Sequence, residues 1–498
     1  MRKHIVPALL AMALSASLGF SAHAQEKVLT VGAAIFPQSL QTGQSNFAAL
    51  SLTEQTNEAL VSRDNAGQLS PGLALSWELL DDTTYRFHLR QGVKWTDGVE
   101  FTADDVAFTM NRIMDPKNSY GLLARIGQIS GAKVVDKYTV DLTTKTVFPT
   151  FVRGLSDILI EAKHYYEKVG AEEAGNHPLG TGPFIYGNYV PGDRYELTPN
   201  PDYWGGAPKV DKLVIRQIPE AATRIASLLA GETQIIEEVP IDLIPEVEAS
   251  PKAQVDQIPT TASLVLTFDV RKPPFDNPKV REAFDYAIDK PSILSAILQN
   301  KGELLQGQLL TAATLGYNPD VKARPFDPEK AKQLLTEAGY DFSTPIPINI
   351  QSGKYVSDVD IANAVAGMLN DIGVKATVNI NEGGVWSKMT AAQEMGPIYL
   401  IGWYSLNDGD FATTWFTEQG KRSVWINPQY DKLFTEARST NDEAVRVEKY
   451  HEMMQIMHDE NPAIFLFGMP SIYAQSKSIS GFGASADKVL RLKDVTLN

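Results

Sequence analysis

The sequence predicts an α/β protein built as two lobes with mixed sheets. Three observations predict it. Apolar, β-branched stretches alternate with amphipathic stretches that carry helix caps, the pattern of strands covered by helices. The chain has 498 residues, which calls for two or three domains rather than one core. No charged or Pro-Ser linker divides it, so the lobes are joined by short crossovers, a geometry that leaves a cleft between them.

The elements follow in order. "KVLTVGAAI" is the first strand, and "YRFHLRQGVKWTDG" alternates apolar with polar residues before the Asp97-Gly98 turn. "FTADDVAFTMNRIMDP" opens a helix capped by Thr102 and Asp105 and stopped at Asp115-Pro116. "PEAATRIASLLAGETQII" is a helix ended by Gly231 and followed by a strand. "TASLVLTFDV" is a strand, and "VREAFDYAIDKPSILSAIL" a helix broken near Pro291. "FDPEKAKQLLTEAGY" places Asp327 at the cap, Pro328 in the first turn and Gly339 past the end. Strand, helix and strand follow over "IPINIQSG", "DIANAVAGMLNDIG" and "VKATVNIN". Thr440 and Glu443 predict a capping box for "TNDEAVRVEKYHEMMQIMHDENP", and "AIFLFG" is a buried strand.

The first residues predict export. Arg2 and Lys3 precede the apolar "IVPALLAMALSASLGF", and Ala22 and Ala24 give a small–x–small cleavage pattern before Gln25. The run is shorter than the ~20 residues a spanning helix needs. The chain has no cysteine, so the lipid-tethered form of an exported bacterial protein is excluded, and the fold rests on packing alone. The formal charge of −15 becomes −17 once Arg2 and Lys3 leave with residues 1–24. That acidity argues against nucleic acid and anionic membranes as partners.

A search for chemistry nominates no catalytic residue and no metal site. "HEMMQ" begins like a zinc-protease helix but carries Gln455 where the second histidine belongs. His451 and His458 lie about 10 Å apart along a helix, too far to share an ion. Met453, Met454 and Met457 read as core. "GTGPF" from Gly180 lacks the following G-K-[ST] of a phosphate loop and reads as a tight backbone turn. There is no G-x-S-x-G elbow and no thiol.

The segment "LALSWELLDDTTYRFHLRQGVKWTDGVEFTADDVAFTMNRIMDP" resembles the signature of the family 5 extracellular solute-binding proteins. These are the dipeptide-, oligopeptide- and nickel-binding components of bacterial ABC importers. The resemblance continues through "HPLGTGPF", "NPDYWGGAPKVDKLVIRQIPEAATRIASLLAGE", "LTFDVRKPPFDNPKVREAFDYAIDK", "GWYSLNDGDFATTWF" and "INPQYDKLFTEAR". It implies a two-lobed periplasmic binding protein clamshell. Residues 25–265 would form the first lobe with a subdomain inserted at about 70–180, 266–475 the second, and 476–498 the return. It also implies a monomer that closes on a ligand, docks on an inner-membrane ABC permease, and needs no cofactor.

The resemblance also nominates site residues. The family's peptide binders hold the peptide's α-ammonium with an aspartate soon after the Gly-Trp pair. Here Gly402-Trp403 is followed by Tyr404, Ser405 and Leu406, with Asp408 and Asp410 beyond. Either Asp408 takes over in a re-registered loop, or the ligand lacks a free amine. No lysine or arginine within residues 400–416 neutralises the two acids. Where dipeptide binders use an arginine for the carboxylate, "IQSGKYVSD" offers Ser352 and Lys354, a point charge rather than a fork. Ser45, Asn46 and Phe47 occupy the first lobe's ligand-facing segment, while Trp403 and Tyr404 would supply aromatic wall. Peptides or peptide-like solutes are the favoured ligands. A sugar or opine on the same scaffold is the nearest rival, ahead of an exported hydrolase and of a chaperone or metal carrier.

Overall fold

In the computed structural model, which describes residues 26–42, 47–118, 126–351, 353–420 and 423–498, an eleven-stranded mixed sheet runs through both halves of the molecule. Its order is Lys375–Asn381, Pro345–Gln351, Ile398–Tyr404, Ala253–Phe268, Ala463–Ser476, Ile235–Ile236, Val28–Ala33, Lys212–Gln217, Arg194–Pro199 and Phe184–Val190. Glu303–Leu304 pairs with Ala463–Ser476 off this path. The amino-terminal expectations, including cleavage before Gln25, lie outside the described residues.

Two strands belong to both halves. Ala253–Phe268 and Ala463–Ser476 run antiparallel for 16 and 14 residues, which at ~3.4 Å per residue is roughly 50 Å. Their first stretch pairs Ala253–Pro259 with Ser476–Pro470, beside Ile235–Ile236. An irregularity follows between Pro259 and Ala262, and the remainder pairs with Ile398–Tyr404. Pro259 stands opposite Pro470. Neither has an N–H to donate, so the ladder is weakest where the halves meet. Ala463–Gln475 is buried throughout, because helices cover both faces of this part of the sheet.

The sequence underread these two strands. "AQVDQIP" looks like a polar connection, yet it extends the strand expected from Thr261 back to Ala253. The expected break near Pro291 is real but earlier: one helix ends at Tyr286 and the next, Lys290–Ala296, is capped by Asp289 with the proline in its first turn. Asp105 reaches back as expected, accepting from the Thr102 N–H at 3.0 Å. The capping box expected at Thr440 is corrected. Asp442 caps Glu443–Glu460 by accepting from Ala444 and Val445, and the Thr440 hydroxyl accepts from the Asp442 N–H instead.

A separate four-stranded antiparallel sheet, Ala74–Asp81, Thr84–Leu89, Thr139–Thr144 and Ile129–Asp136, packs with helix Ala103–Met114 around Phe87, Trp95, Phe101 and Met110. In the other half, Met453, Met454 and Met457 are fully buried beside Tyr430 and Tyr450. Gly180 and Gly182 are packing glycines: a Cβ on Gly180 would lie 1.7 Å from the Thr56 carbonyl oxygen.

Candidate functional site

A cavity of about 1470 Å³ lies between the two halves of the sheet. This exceeds the ~300–1,000 Å³ of ordinary small-molecule sites. Its position follows from the strand directions. Val28–Ala33 runs parallel to Ile235–Ile236, and Pro345–Gln351 runs parallel to Ile398–Tyr404. The residues just past these carboxyl ends line the cavity: Ala34–Gln38, Glu237–Asp242, Gly353–Ser357 and, ending its strand, Tyr404. Ligands of open α/β sheets bind at such ends, where loops from several strands converge.

One wall is aromatic and has an open strand edge. Trp403, 6 % exposed, stacks on Trp415 with centroids 5.1 Å apart, and Phe411 meets Trp415 edge-on. Pro345–Gln351 pairs with Ile398–Tyr404 only at Ile398 and Tyr399. From Leu400 to Trp403 no other strand of the described residues continues along that side, and Ile401, Gly402 and Trp403 face the cavity. Gly402 is required here: a Cβ would stand 2.5 Å from the Tyr355 ring. Buried Asp358 fixes the facing loop by accepting from the N–H groups of Gly353, Lys354 and Tyr355 at 3.3, 2.8 and 3.0 Å. Lys354 itself is exposed at the cavity wall.

The opposite wall is acidic. Glu237 and Glu238 follow the buried strand Ile235–Ile236 directly, and both line the cavity. Glu238 and Lys488 both sit in the left-handed backbone region, φ 51° and 61°, and their side chains pair at 3.4 Å. Arg224 holds this turn in place, donating to the carbonyls of Ile218, Pro219, Glu237 and Glu238 at 2.6–3.1 Å. Burial pushes the Glu237 carboxyl up to about 8, and the neighbouring Glu238 charge adds to the shift, against Lys488, Arg224 and the Ala34 N–H. Burial opposes the Lys488 charge, but Tyr404, Glu238 and Tyr473 hold its ammonium above the usual lysine range.

Of the residues nominated from sequence, Trp403, Tyr404 and Lys354 line the cavity. Ser45, Asn46 and Ser352 lie outside the described residues, and Phe47 begins the helix Phe47–Thr53. Asp408 and Asp410 require correction. Neither lines the cavity, and each is neutralised from within. Arg438 forks onto Asp410 at 2.5 and 2.8 Å, and one nitrogen of Arg446 donates to both Asp408 oxygens at 2.7 and 2.8 Å. Asp408 also caps the helix Gly409–Thr414 through the Asp410 N–H. The partners stand 28 and 38 residues downstream, so a segment without basic residues was no guide. One signal was legible: Arg446 shares a helical stripe with Tyr450, Met453 and Met457, and an arginine on a buried stripe needs a carboxylate. The acids after "II" at 235–236 are a second such signal, because carboxylates just past a buried strand end stand where these sheets bind ligands.

Among the described residues, no group of three or more His, Asp or Glu side chains is placed to hold a metal ion. No helix there is long and apolar enough to cross a membrane.

The model of the bacterial extracellular solute-binding proteins, family 5, matches residues 68–423. The chain belongs to that family. The dipeptide-binding protein of Escherichia coli K12 is 31% identical over 83% of this chain and 84% of that one. The heme-binding protein A of Haemophilus influenzae is 30% identical over 82% and 80% of the two chains. The glutathione-binding protein GsiB of Shigella flexneri serotype 5b is 28% identical over 100% and 99%. Among solved structures, HbpA2 from Haemophilus parasuis superposes with a TM-score of 0.82 at 26% identity, covering 95% of this chain and 100% of that one. The fold is that of the periplasmic binding proteins, and the role is in transport as a solute-binding component of ABC importers.

Proposed function

We propose that this family 5 protein captures peptides or peptide-like solutes in the cavity between its halves and delivers them to an inner-membrane ABC permease. It acts in the periplasm after cleavage before Gln25, as a monomer and without turnover of the ligand. The observation that carries the reading is the open edge at Leu400–Trp403 in the cavity wall. A strand edge pairs with any main chain laid along it, independent of side chains. A sugar has no such ladder to offer.

The rest of the cavity supports a zwitterionic guest. Glu238, paired with Lys488, and the buried carboxyl of Glu237, which an adjoining cation would help to ionise, give one wall two acceptors for an ammonium, and exposed Lys354 offers a cation on the other. Aromatic rings between them provide contact area at little cost in side-chain entropy. Two of the relatives bind a dipeptide and glutathione by name, both peptide-like. The third is named for heme, which makes heme the comparison ligand.

Native mass spectrometry of the protein purified from a periplasmic extract tests the reading. A retained mass that fragments into amino acids supports it. Retention of a sugar or of heme alone overturns it.

A further inference from the structure

The half of the molecule formed by residues 269–462 is joined to the rest only through the two crossing strands. A rotation that opens the halves about the Pro259–Pro470 pair has to break the side-chain contacts that bridge them away from it. Two such contacts are made by asparagines outside the cavity lining. Asn407 Nδ2 donates to the Ala66 carbonyl at 3.2 Å. Asn441 Nδ2 donates to the Asp82 carbonyl at 3.2 Å, and Asn441 Oδ1 accepts from the Tyr85 hydroxyl at 3.1 Å. Neither asparagine lines the cavity.

Both sides of the first contact are built for close approach. Leu406 and Asn407 are consecutive left-handed residues, φ 51° and 64°, a conformation that costs free energy at non-glycine positions. The next residue, Asp408, is pinned by Arg446, and the Asn407 carbonyl accepts from the Leu315 N–H at 3.1 Å. On the facing side, Asp64 closes a tight turn by accepting from the N–H groups of Ala66 and Gln68. Gly67, φ 80°, lies so near Asn407 that a Cβ would stand 2.3 Å from its Oδ1. Arg153 donates to the Gly67 carbonyl at 3.2 Å and feels the charges of Asp408, Arg446 and Glu443 across the boundary.

We propose that Asn407 and Asn441 form a two-point clasp that fastens residues 269–462 onto the Ala66–Gly67 turn and the Asp82–Tyr85 hairpin. The clasp sets the balance between open and closed forms from outside the cavity, whatever the ligand. Asp408 and Arg446 then serve as positioning residues: they hold the strained Asn407 where the Ala66 carbonyl can receive it. This role does not depend on the peptide reading, since no clasp residue touches the cavity.

The chain has no cysteine, so spin labels can be placed at will. Lys133→Cys and Glu448→Cys, both exposed positions on opposite sides of the boundary, report the distance between the halves by double electron–electron resonance. The protein is measured without added ligand, after unfolding and refolding to strip any guest. The parent shows a short-distance population. Asn407→Ala with Asn441→Ala lowers the closed-to-open ratio by on the order of tenfold or more, the loss of three hydrogen bonds. Tyr85→Phe, which removes one bond from the opposite side, gives a smaller shift in the same direction and decides the matter should the double variant not fold. A parent found only at the long distance, or a folded variant whose distribution superimposes on the parent's, overturns the proposal.

Discussion

Asp408 and Arg446 meet through one guanidinium nitrogen, which lies 2.7 and 2.8 Å from the two carboxylate oxygens, and both residues are 4 % exposed. The acid expected from sequence to await a ligand is already bound within the protein. Burial opposes the Arg446 charge, but Asp408 and Tyr450 together hold it above the ordinary arginine range.

This pairing makes Asp408→Asn a stability variant. Removing one member leaves the other charge buried and uncompensated, at a cost of ~3–5 kcal/mol. Urea titration at neutral pH is expected to show that loss. Asp408→Leu with Arg446→Met is expected to recover most of it, because the uncompensated charge is gone. A folded Asp408→Asn protein as stable as the parent would place this pair among the contacts that contribute nothing.

Glu237 gives a pH dependence with a definite sign. Its folded value is about 8 against 4.5 for the free side chain. The contribution to stability is therefore fully present below about pH 4.5 and is lost as pH rises through about 8. Glu238, Lys488, Arg224 and Tyr473 are the charged or titratable groups that face it. Glu237→Gln is expected to match the parent near pH 4.5 and to melt at a higher temperature at pH 9. Some slope should survive in the variant, since burial also pushes Glu54 up to about 7. Parallel melting curves for the two proteins across this range would contradict the assignment.

Lys354 tests the carboxylate end. It is exposed, so a charge pair made there is worth ~0.2–1 kcal/mol. Lys354→Met is expected to weaken a dipeptide by no more than about fivefold, and to leave its carboxy-amidated form unchanged. Calorimetric titration of both peptides checks this. Equal losses for the free and amidated peptides would show that Lys354 does not read the carboxylate.

How much was legible in the sequence divides along a physical line. Local signals held: the helix Pro328–Glu337 begins at its Asp327 cap, and Gly231 and Gly339 take the left-handed conformation past their helices. Trp403, Tyr404 and Lys354 fall on the cavity because they sit at or just beyond strand ends, which hydrophobic patterning can locate. What failed depends on partners distant in the chain. The polar half of Ala253–Phe268 is strand because Ser476–Pro470 pairs with it, and Asp408 is satisfied by an arginine two helices on. The acidic wall is formed by Glu237, Glu238 and Lys488, which come together across 250 residues. The two acids past the strand end are visible locally, but their lysine partner is not.

The most direct test of the account is a crystal structure of the protein with its retained ligand. The expected result is a main chain paired with the open edge at Leu400–Trp403, its cationic group directed to Glu237 and Glu238. A non-peptide solute in the cavity, or a peptide that leaves that edge unpaired, would contradict it.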